Sequence, residues 1–179
     1  MKNPHRLERS WWGSLEVPVG LVVVVGTGEQ LLEIGLLPPG SSVRAWLASR
    51  YPSCAPAGEG PVRLALQQLA EYFQGRRRRF ELPLAAGRSS GFGERVRAAL
   101  CQVPYGERVS YGALARLAGS PGAARAVGRV MAGNRWPLVV PCHRVVGAGG
   151  RLTGYSGGTG LDCKQWLLDF EADVAAREG

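Results

Sequence analysis

Residues 110–134 read SYGALARLAGSPGAARAVGRVMAGN and indicate how the C-terminal half of the chain folds. Ser110 is placed to cap a helix over residues 111–118, which ends at a glycine. Ser120, followed by proline, predicts a second helix over residues 121–132, because proline suits the first helical position. Two short helices joined by a tight Gly-Ser turn predict a helix-turn-helix.

The second predicted helix carries mostly small residues, with Arg125 and Arg129 four positions apart. A helix with so bare a surface can approach a DNA groove closely, and Arg125 would then project into the duplex. The same small residues equally suit tight helix–helix packing with both arginines in solvent. The pattern alone leaves both interpretations open.

Upstream of this region the sequence has a different texture. Residues 93–103 predict one more amphipathic helix before Pro104, and the small, polar residues 85–91 predict a linker. Before the linker, LVVVV and LLEIGLL within residues 20–37 predict a β-hairpin. Helices are predicted over residues 42–50 and 62–74, and FELPL at residues 80–84 resembles a short strand.

The chain has 179 residues and a net charge of +8, and 20 of its 22 basic residues are arginine. The planar arginine fork suits phosphates and base edges, so nucleic acid is the leading partner class. A genome biased towards arginine codons would give the same composition. The run Arg76–Arg79 is interpreted as a solvated edge rather than as a phosphate contact.

Four cysteines and two histidines, without a CxxC pair, predict neither a disulfide scaffold nor a metal site. No cofactor is expected. The polar N-terminus and the absence of a long apolar run predict a soluble, cytoplasmic protein with reduced thiols and no membrane contact.

Residues 137–146 read PLVVPCHRVV and contain Cys142 next to His143. Neighbours in a regular strand point to opposite faces, so the two cooperate only if Pro141 begins a turn or helix. A thiol at a helix N-terminus beside an imidazole would have its thiolate favoured. The alternative is a buried cysteine in an apolar strand with a surface histidine.

Four motifs and two single residues taken together closely resemble the O6-alkylguanine-DNA alkyltransferases over residues 92–171. They are VPYGERVSY (103–111), ARAVG (124–128), Met131, Asn134, PCHRVV (141–146) and GYSGG (154–158). The resemblance implies a small ribonuclease H-like α/β N-terminal domain packed on a helical C-terminal domain with a helix-turn-helix. The expected domains are residues 1–88, as structural support, and residues 89–179, for DNA binding and alkyl transfer.

The resemblance also implies catalytic roles. Cys142 would be the nucleophile and alkyl acceptor, His143 its base through a water, and Glu171 the acid that orients the imidazole. Tyr111 would donate a proton or hydrogen bond to the departing guanine. Asp169 is the local rival of Glu171, because Thr159 and Gly160 look inserted relative to the family's spacing.

Further residues are implied in binding. Arg125 would occupy the place of the extruded nucleotide, on a helix that also presents Ala124 and Arg129 to DNA. Asn134 would tie this helix to the segment that bears Cys142. The carbonyls of Cys142 and Val145 would accept from the guanine amino group, with Ser156 at O6 and Tyr155 as a wall of the pocket.

The implied function is direct-reversal DNA repair by single-turnover transfer from O6-alkylguanine, with O4-methylthymine as a further candidate, to Cys142. The partner would be double-stranded DNA that contains the lesion, bound by a monomer in the cytoplasm or, in a bacterium, at the nucleoid. The alternative is a non-enzymatic protein that binds alkylated lesions; relatives of that type lack the acceptor cysteine. A cysteine hydrolase is a third, disfavoured reading.

Overall fold

The computed structural model describes residues 9–56, 60–85 and 91–177 of this mixed α/β protein. The chain divides into two compact units, Met1–Ala86 and Gly87–Gly179. The predicted boundary after residue 88, and most of the predicted linker, fall on residues 86–90, outside the described part.

The first unit is built on a four-stranded sheet in the order β3-β2-β1-β4. Its strands are β1 (Trp11–Val17), β2 (Gly20–Gly26), β3 (Leu31–Leu37) and the short β4 (Ala55–Pro56). β2 pairs antiparallel with both β1 and β3, while β4 runs parallel to β1. The predicted hairpin over residues 20–37 is therefore confirmed.

Helices on this sheet explain why β2 is an unbroken apolar run. α1 (Val43–Arg50) places Leu47 against Val23 and Val25. α2 (Gly60–Phe73) packs on β1 and β2. Alternate β2 side chains point to opposite faces, and the valines between residues 22 and 25 are all fully buried.

The predicted strand FELPL is wrong. The structure has no strand there, only an isolated bridge of Leu84 with Leu31. Pro83 has no N–H to donate, and the backbone of Glu81 is held instead by the side chain of Gln68, at 2.9 and 3.1 Å. Nearby, Arg77 pairs with Glu71 at 2.6 Å, while the other three arginines of the Arg76–Arg79 run are exposed.

The second unit is mostly helical. Its helices are α3 (Gly91–Cys101), α4 (Tyr111–Leu117), α5 (Ala124–Ala132) and α6 (Leu161–Ala176). Two short strands, β5 (Val109–Ser110) and β6 (Val145–Val146), pair in parallel. Two 3-10 turns cover Cys142–Arg144 and Ala148–Gly150. None of the helices in the described residues combines the length and apolar character that a membrane crossing requires.

Two details of this unit differ from the sequence prediction. Helix α5 begins at Ala124 rather than at Pro121, because Gly122 has a φ of 83° and the backbone N–H of Ala123 turns back to the carbonyl of Ser120. Helix α3 spans Gly91–Cys101 rather than residues 93–103, and Cys101 is exposed while Val96 and Leu100 are buried. The predicted Ser110 cap of α4 is confirmed, with its oxygen accepting from the Ala113 N–H.

Candidate active site around Cys142

The segment that leads to Cys142 is buried and sharply turned. Pro141 precedes the 3-10 turn Cys142–Arg144, so the condition for Cys142 and His143 to act together is met and the strand alternative is excluded. Three residues earlier, Leu138 is buried with a φ of 73°, the left-handed region that costs a non-glycine residue about 1 kcal/mol or more. The packing around Leu138 thus stabilises the sharp turn of the backbone that leads to Cys142.

Asn134, just beyond the end of α5, holds the Cys142 thiol. Its Nδ2 donates to Sγ at 3.1 Å and to the Val140 carbonyl at 2.8 Å. Its Oδ1 accepts from the backbone N–H of Trp136 at 3.1 Å, which fixes the orientation of the amide. Asn134 therefore links the end of α5 directly to the sulfur.

The pKa of the Cys142 thiol is raised, not lowered as the sequence had suggested. Burial is the largest cause, and the hydrogen bond from Asn134 and the charge of Lys164 offset only part of it. A helix of three residues has too small a dipole to reverse the cost of desolvating the thiol of a residue that is only 8% exposed. The resting thiol is thus neutral and needs a base before it can act as a nucleophile.

His143, the base that the family resemblance implies, lies in a buried cluster centred on Glu171. Nε2 of His143 lies 2.8 Å from Glu171 Oε1, and both side chains are fully buried. Arg144 donates from Nε to Oε2 at 2.8 Å and from Nη2 to Oε1 at 3.0 Å. The backbone N–H of Gly106 donates to Oε2 at 3.1 Å. Four donors thus converge on one carboxylate.

The charges in this cluster settle the tautomer of His143. Burial alone would raise the pKa of Glu171, but the hydrogen bonds and charges of His143 and Arg144 outweigh it and lower the pKa. The ionised carboxylate can only accept, so Nε2 of His143 carries the proton and Nδ1 has a free lone pair. Burial is the main cause that lowers the pKa of His143 and keeps it neutral.

Lys164, on α6, belongs to the site although the sequence gave it no role. Its buried Nζ donates to the carbonyls of Val145 at 2.6 Å and Thr153 at 2.7 Å, and burial lowers its pKa. The Thr153 carbonyl also accepts from the Tyr111 hydroxyl at 3.5 Å. The spacing of Lys164, Leu167, Leu168 and Glu171 along one buried helix face was the available signal.

The predicted pocket residues lie in two environments. Ser156 is exposed, whereas the hydroxyl of Tyr155 is buried, which raises its pKa, and has no hydrogen-bond partner among the described residues. The Tyr155 ring packs against Gly157, where an added Cβ would lie 2.9 Å from the ring, so the close approach depends on the missing side chain. The Val145 N–H donates to the Cys142 carbonyl, so both predicted carbonyl acceptors already hold one hydrogen bond and retain one lone pair each.

The DNA-facing candidates lie on α5. Val127 and Met131 are its buried residues, Ala124 is half-buried, and Arg125 and Arg129 are exposed. Asp169, the rival of Glu171, is exposed and pairs with Arg108 at 3.3 Å. In the described part of the chain, no three His, Cys, Asp or Glu side chains are grouped to hold a metal ion.

Comparison with known proteins identifies the family. Residues 91–173 match the family described as 6-O-methylguanine DNA methyltransferase, DNA binding domain. The methylated-DNA–protein-cysteine methyltransferase of Mycolicibacterium paratuberculosis is 41% identical over 160 residues, covering 88% of this chain and 90% of the relative. That of Methanosarcina acetivorans is 37% identical, covering 90% and 97%.

Solved structures give the same result. The O6-methylguanine methyltransferase of Mycobacterium tuberculosis superposes with a TM-score of 0.77 at 35% identity, covering 92% of this chain and 94% of its own. The fold and the relatives together define the class: the chain is a methyltransferase. More narrowly, it belongs to the family of methylated-DNA–protein-cysteine methyltransferases.

Proposed function

We propose that this protein repairs alkylated DNA directly, by moving the alkyl group of an O6-alkylguanine in duplex DNA to Sγ of its own Cys142. The observation that carries the proposal is the buried, neutral thiol held by Asn134 beside a neutral His143 whose basic nitrogen is uncommitted. The non-enzymatic lesion-binding alternative is disfavoured, because it needs no such thiol.

The reaction balances without a cofactor. His143 Nδ1 takes the thiol proton through a water, and Glu171 stabilises the imidazolium that forms. The thiolate attacks the alkyl carbon, an S–C bond forms, and the C–O bond breaks with its electron pair left on guanine. Guanine takes up one proton from Tyr111, and the proton that His143 took from the thiol returns to Tyr111 through water, so the only net change is the moved alkyl group. The thioether product is not hydrolysed, so each chain acts once.

The second unit would bring the lesion to the thiol. We infer that α4 and α5 act as a helix-turn-helix and that α5 enters a DNA groove, with Ala124 close to the duplex and Arg129 on the backbone. Extrusion of the base costs a few kcal/mol, and insertion of Arg125 into the stack offsets part of that cost. The extruded base would lie against Val145, Tyr155 and Ser156.

The remaining expectations are proposals of the same kind. Residues 1–88 would form a ribonuclease H-like support, and residues 89–179 would carry DNA binding and transfer. The active form would be a monomer on double-stranded DNA, in the cytoplasm or at the nucleoid. O4-methylthymine is a second candidate substrate for the same pocket.

Stoichiometric labelling tests the function. Duplex DNA with a radiolabelled O6-methyl group is expected to place one label on each chain, because the thioether is stable, and peptide mapping is expected to find it on Cys142. Unmodified duplex of the same sequence is the control. Repeated turnover, or a label on any other residue, would contradict the proposal.

Replacement of Arg125 tests the extrusion step. In Arg125→Ala the rate of transfer from duplex DNA is expected to fall by about 10–100-fold, the equivalent of the few kcal/mol that base flipping costs. Transfer from the free base O6-benzylguanine should be unchanged, since that substrate needs no extrusion. The control is Arg177→Ala, which removes an equal charge from an exposed position at the C-terminal end of α6. An equal loss with both substrates would refute the role of Arg125.

A further inference from the structure

The turn between α3 and β5 has no assigned role, although its Pro-Tyr-Gly motif is part of the family resemblance. Its residues surround the Arg144–Glu171 pair. The carbonyl of Val103 accepts from Arg144 Nη1 at 2.8 Å, and the Tyr105 ring lies 5.5 Å from the guanidinium carbon. Gly106 then donates its N–H to Glu171. Three positions of one short turn therefore act on one buried ion pair.

Gly106 is the one residue type that fits its position. Its φ is 82°, and an added Cβ would lie 3.1 Å from the Cβ of Ala175 and 3.2 Å from the carbonyl oxygen of Glu171. The missing side chain lets the backbone N–H come within hydrogen-bond distance of the carboxylate. The turn and α6 are thus in contact at the residue that orients His143.

Arg144 joins the turn to the carboxylate. Its side chain is 7% exposed and uses Nε and Nη2 on Glu171 and Nη1 on Val103. A guanidinium offers donors in a fixed planar fork, so the two oxygens of Glu171 are held at defined positions. His143 shares Oε1 with Arg144 Nη2, with its Nε2 at 2.8 Å.

We propose that residues 103–106 and Arg144 are a positioning element that keeps Glu171 ionised and His143 neutral with its proton on Nε2. None of these residues needs to touch the lesion. They act through Glu171, and Nδ1 of His143 is the nitrogen that remains basic. The inference rests on the proposed function, in which His143 activates Cys142.

The element has a measurable effect on pH dependence. The groups that act on His143 are Glu171 and Lys164 from α6, Arg144 beside it in the chain, and the neutral Cys142 thiol. Glu171 favours imidazolium, whereas burial, Arg144 and Lys164 oppose it. Removal of Arg144 takes away one opposing charge, so protonation of His143 would begin at a higher pH and would block the base.

The experiment compares single-turnover transfer by the full-length protein and Arg144→Met between pH 5.5 and 8.5, with labelled O6-methylguanine in saturating duplex DNA. In Arg144→Met the acid limb of the pH–rate profile is expected to move up by about one pH unit. Relative to the unsubstituted protein, the variant then loses roughly tenfold more of its transfer rate at low pH than at high pH. Arg108→Met removes the same charge from the exposed pair with Asp169 and should leave the profile in place. A rate lowered equally at every pH, or an unshifted limb, would overturn the proposal.

Two further measurements keep the test decisive. In Gly106→Ala the transfer rate should fall about 10–100-fold, as expected when an orienting group is displaced, with DNA affinity unchanged; an unaltered rate would count against the element. Should Arg144→Met fail to fold, histidine ¹⁵N NMR on the unsubstituted protein decides. It must show His143 as the Nε2–H tautomer, titrating below its ordinary range, and any other result overturns the proposal. Wild-type protein that transfers no label refutes the proposed function instead.

Discussion

We expect the Cys142→Ser variant to bind alkylated duplex DNA and to transfer no alkyl group from it. A serine hydroxyl has a far higher pKa than a thiol, so His143 cannot generate an effective nucleophile from it. Removal of a covalent nucleophile lowers the rate by on the order of a millionfold. The variant should therefore behave as a pure lesion-binding protein.

The measurement is transfer of a radiolabelled methyl group to protein, made beside a DNA-binding titration. Cys101→Ser and Cys163→Ser are matched controls, one at an exposed thiol and one at a buried thiol, and both should accept one label per chain. Label that persists in Cys142→Ser would identify another acceptor. A loss of DNA binding in the variant would show that the substitution disturbs more than the chemistry.

The largest loss of stability is expected for Glu171→Gln. Its carboxylate is fully buried and is the partner of Arg144, so neutralising it leaves a buried guanidinium without a counter-charge. Breaking a buried ion pair from one side costs about 3–5 kcal/mol. The free energy of unfolding at pH 7 should fall by that amount, and transfer should fall with it, because His143 loses its orienting acceptor.

Denaturant unfolding at several pH values checks this, with Asp169→Asn as the control on the same helix. Asp169 is exposed and its pair with Arg108 should contribute less than about 1 kcal/mol. The lowered pKa of Glu171 stabilises the fold above about pH 4.3, the ordinary value for glutamate, and this contribution is lost on further acidification. The free energies of unfolding of the unsubstituted protein and of Glu171→Gln should thus differ less at pH 3 than at pH 7. A difference that does not change with pH would argue against an ionised carboxylate at Glu171.

Local signals predicted much of the fold. The run LVVVV and the Ser110 cap each act over a few residues, so the hairpin and the start of α4 could be inferred without knowledge of the rest of the chain. Even so, the α5 start was misplaced, because Ser-Pro at residues 120–121 is a good helix-start signal that Gly122 overrides with its positive φ. FELPL failed as a strand because a side chain, Gln68, holds its backbone.

The sequence predicted the reacting residues of the candidate site but not the contacts around them. Family resemblance pointed to Cys142, His143 and Glu171, whereas the contacts that set their protonation come from residues far apart in the chain. Gly106 lies 65 positions from Glu171, and Arg144 lies 27 positions from it. No periodicity or spacing in the sequence indicates that these residues meet at Glu171. The direction of the Cys142 pKa was missed because burial depends on packing from all sides.

The burial of Cys142 has a consequence for a protein that can react only once. Soluble electrophiles attack thiolates, and a chain alkylated by chance would be withdrawn from service with no lesion removed. Cys142 is buried and the pKa of its thiol is raised, so it is a poor target for such freely diffusing reagents. The low reactivity of the Cys142 thiol in the absence of DNA therefore protects it from such reagents. The single reaction of each chain is kept for an alkyl group that is brought into the pocket.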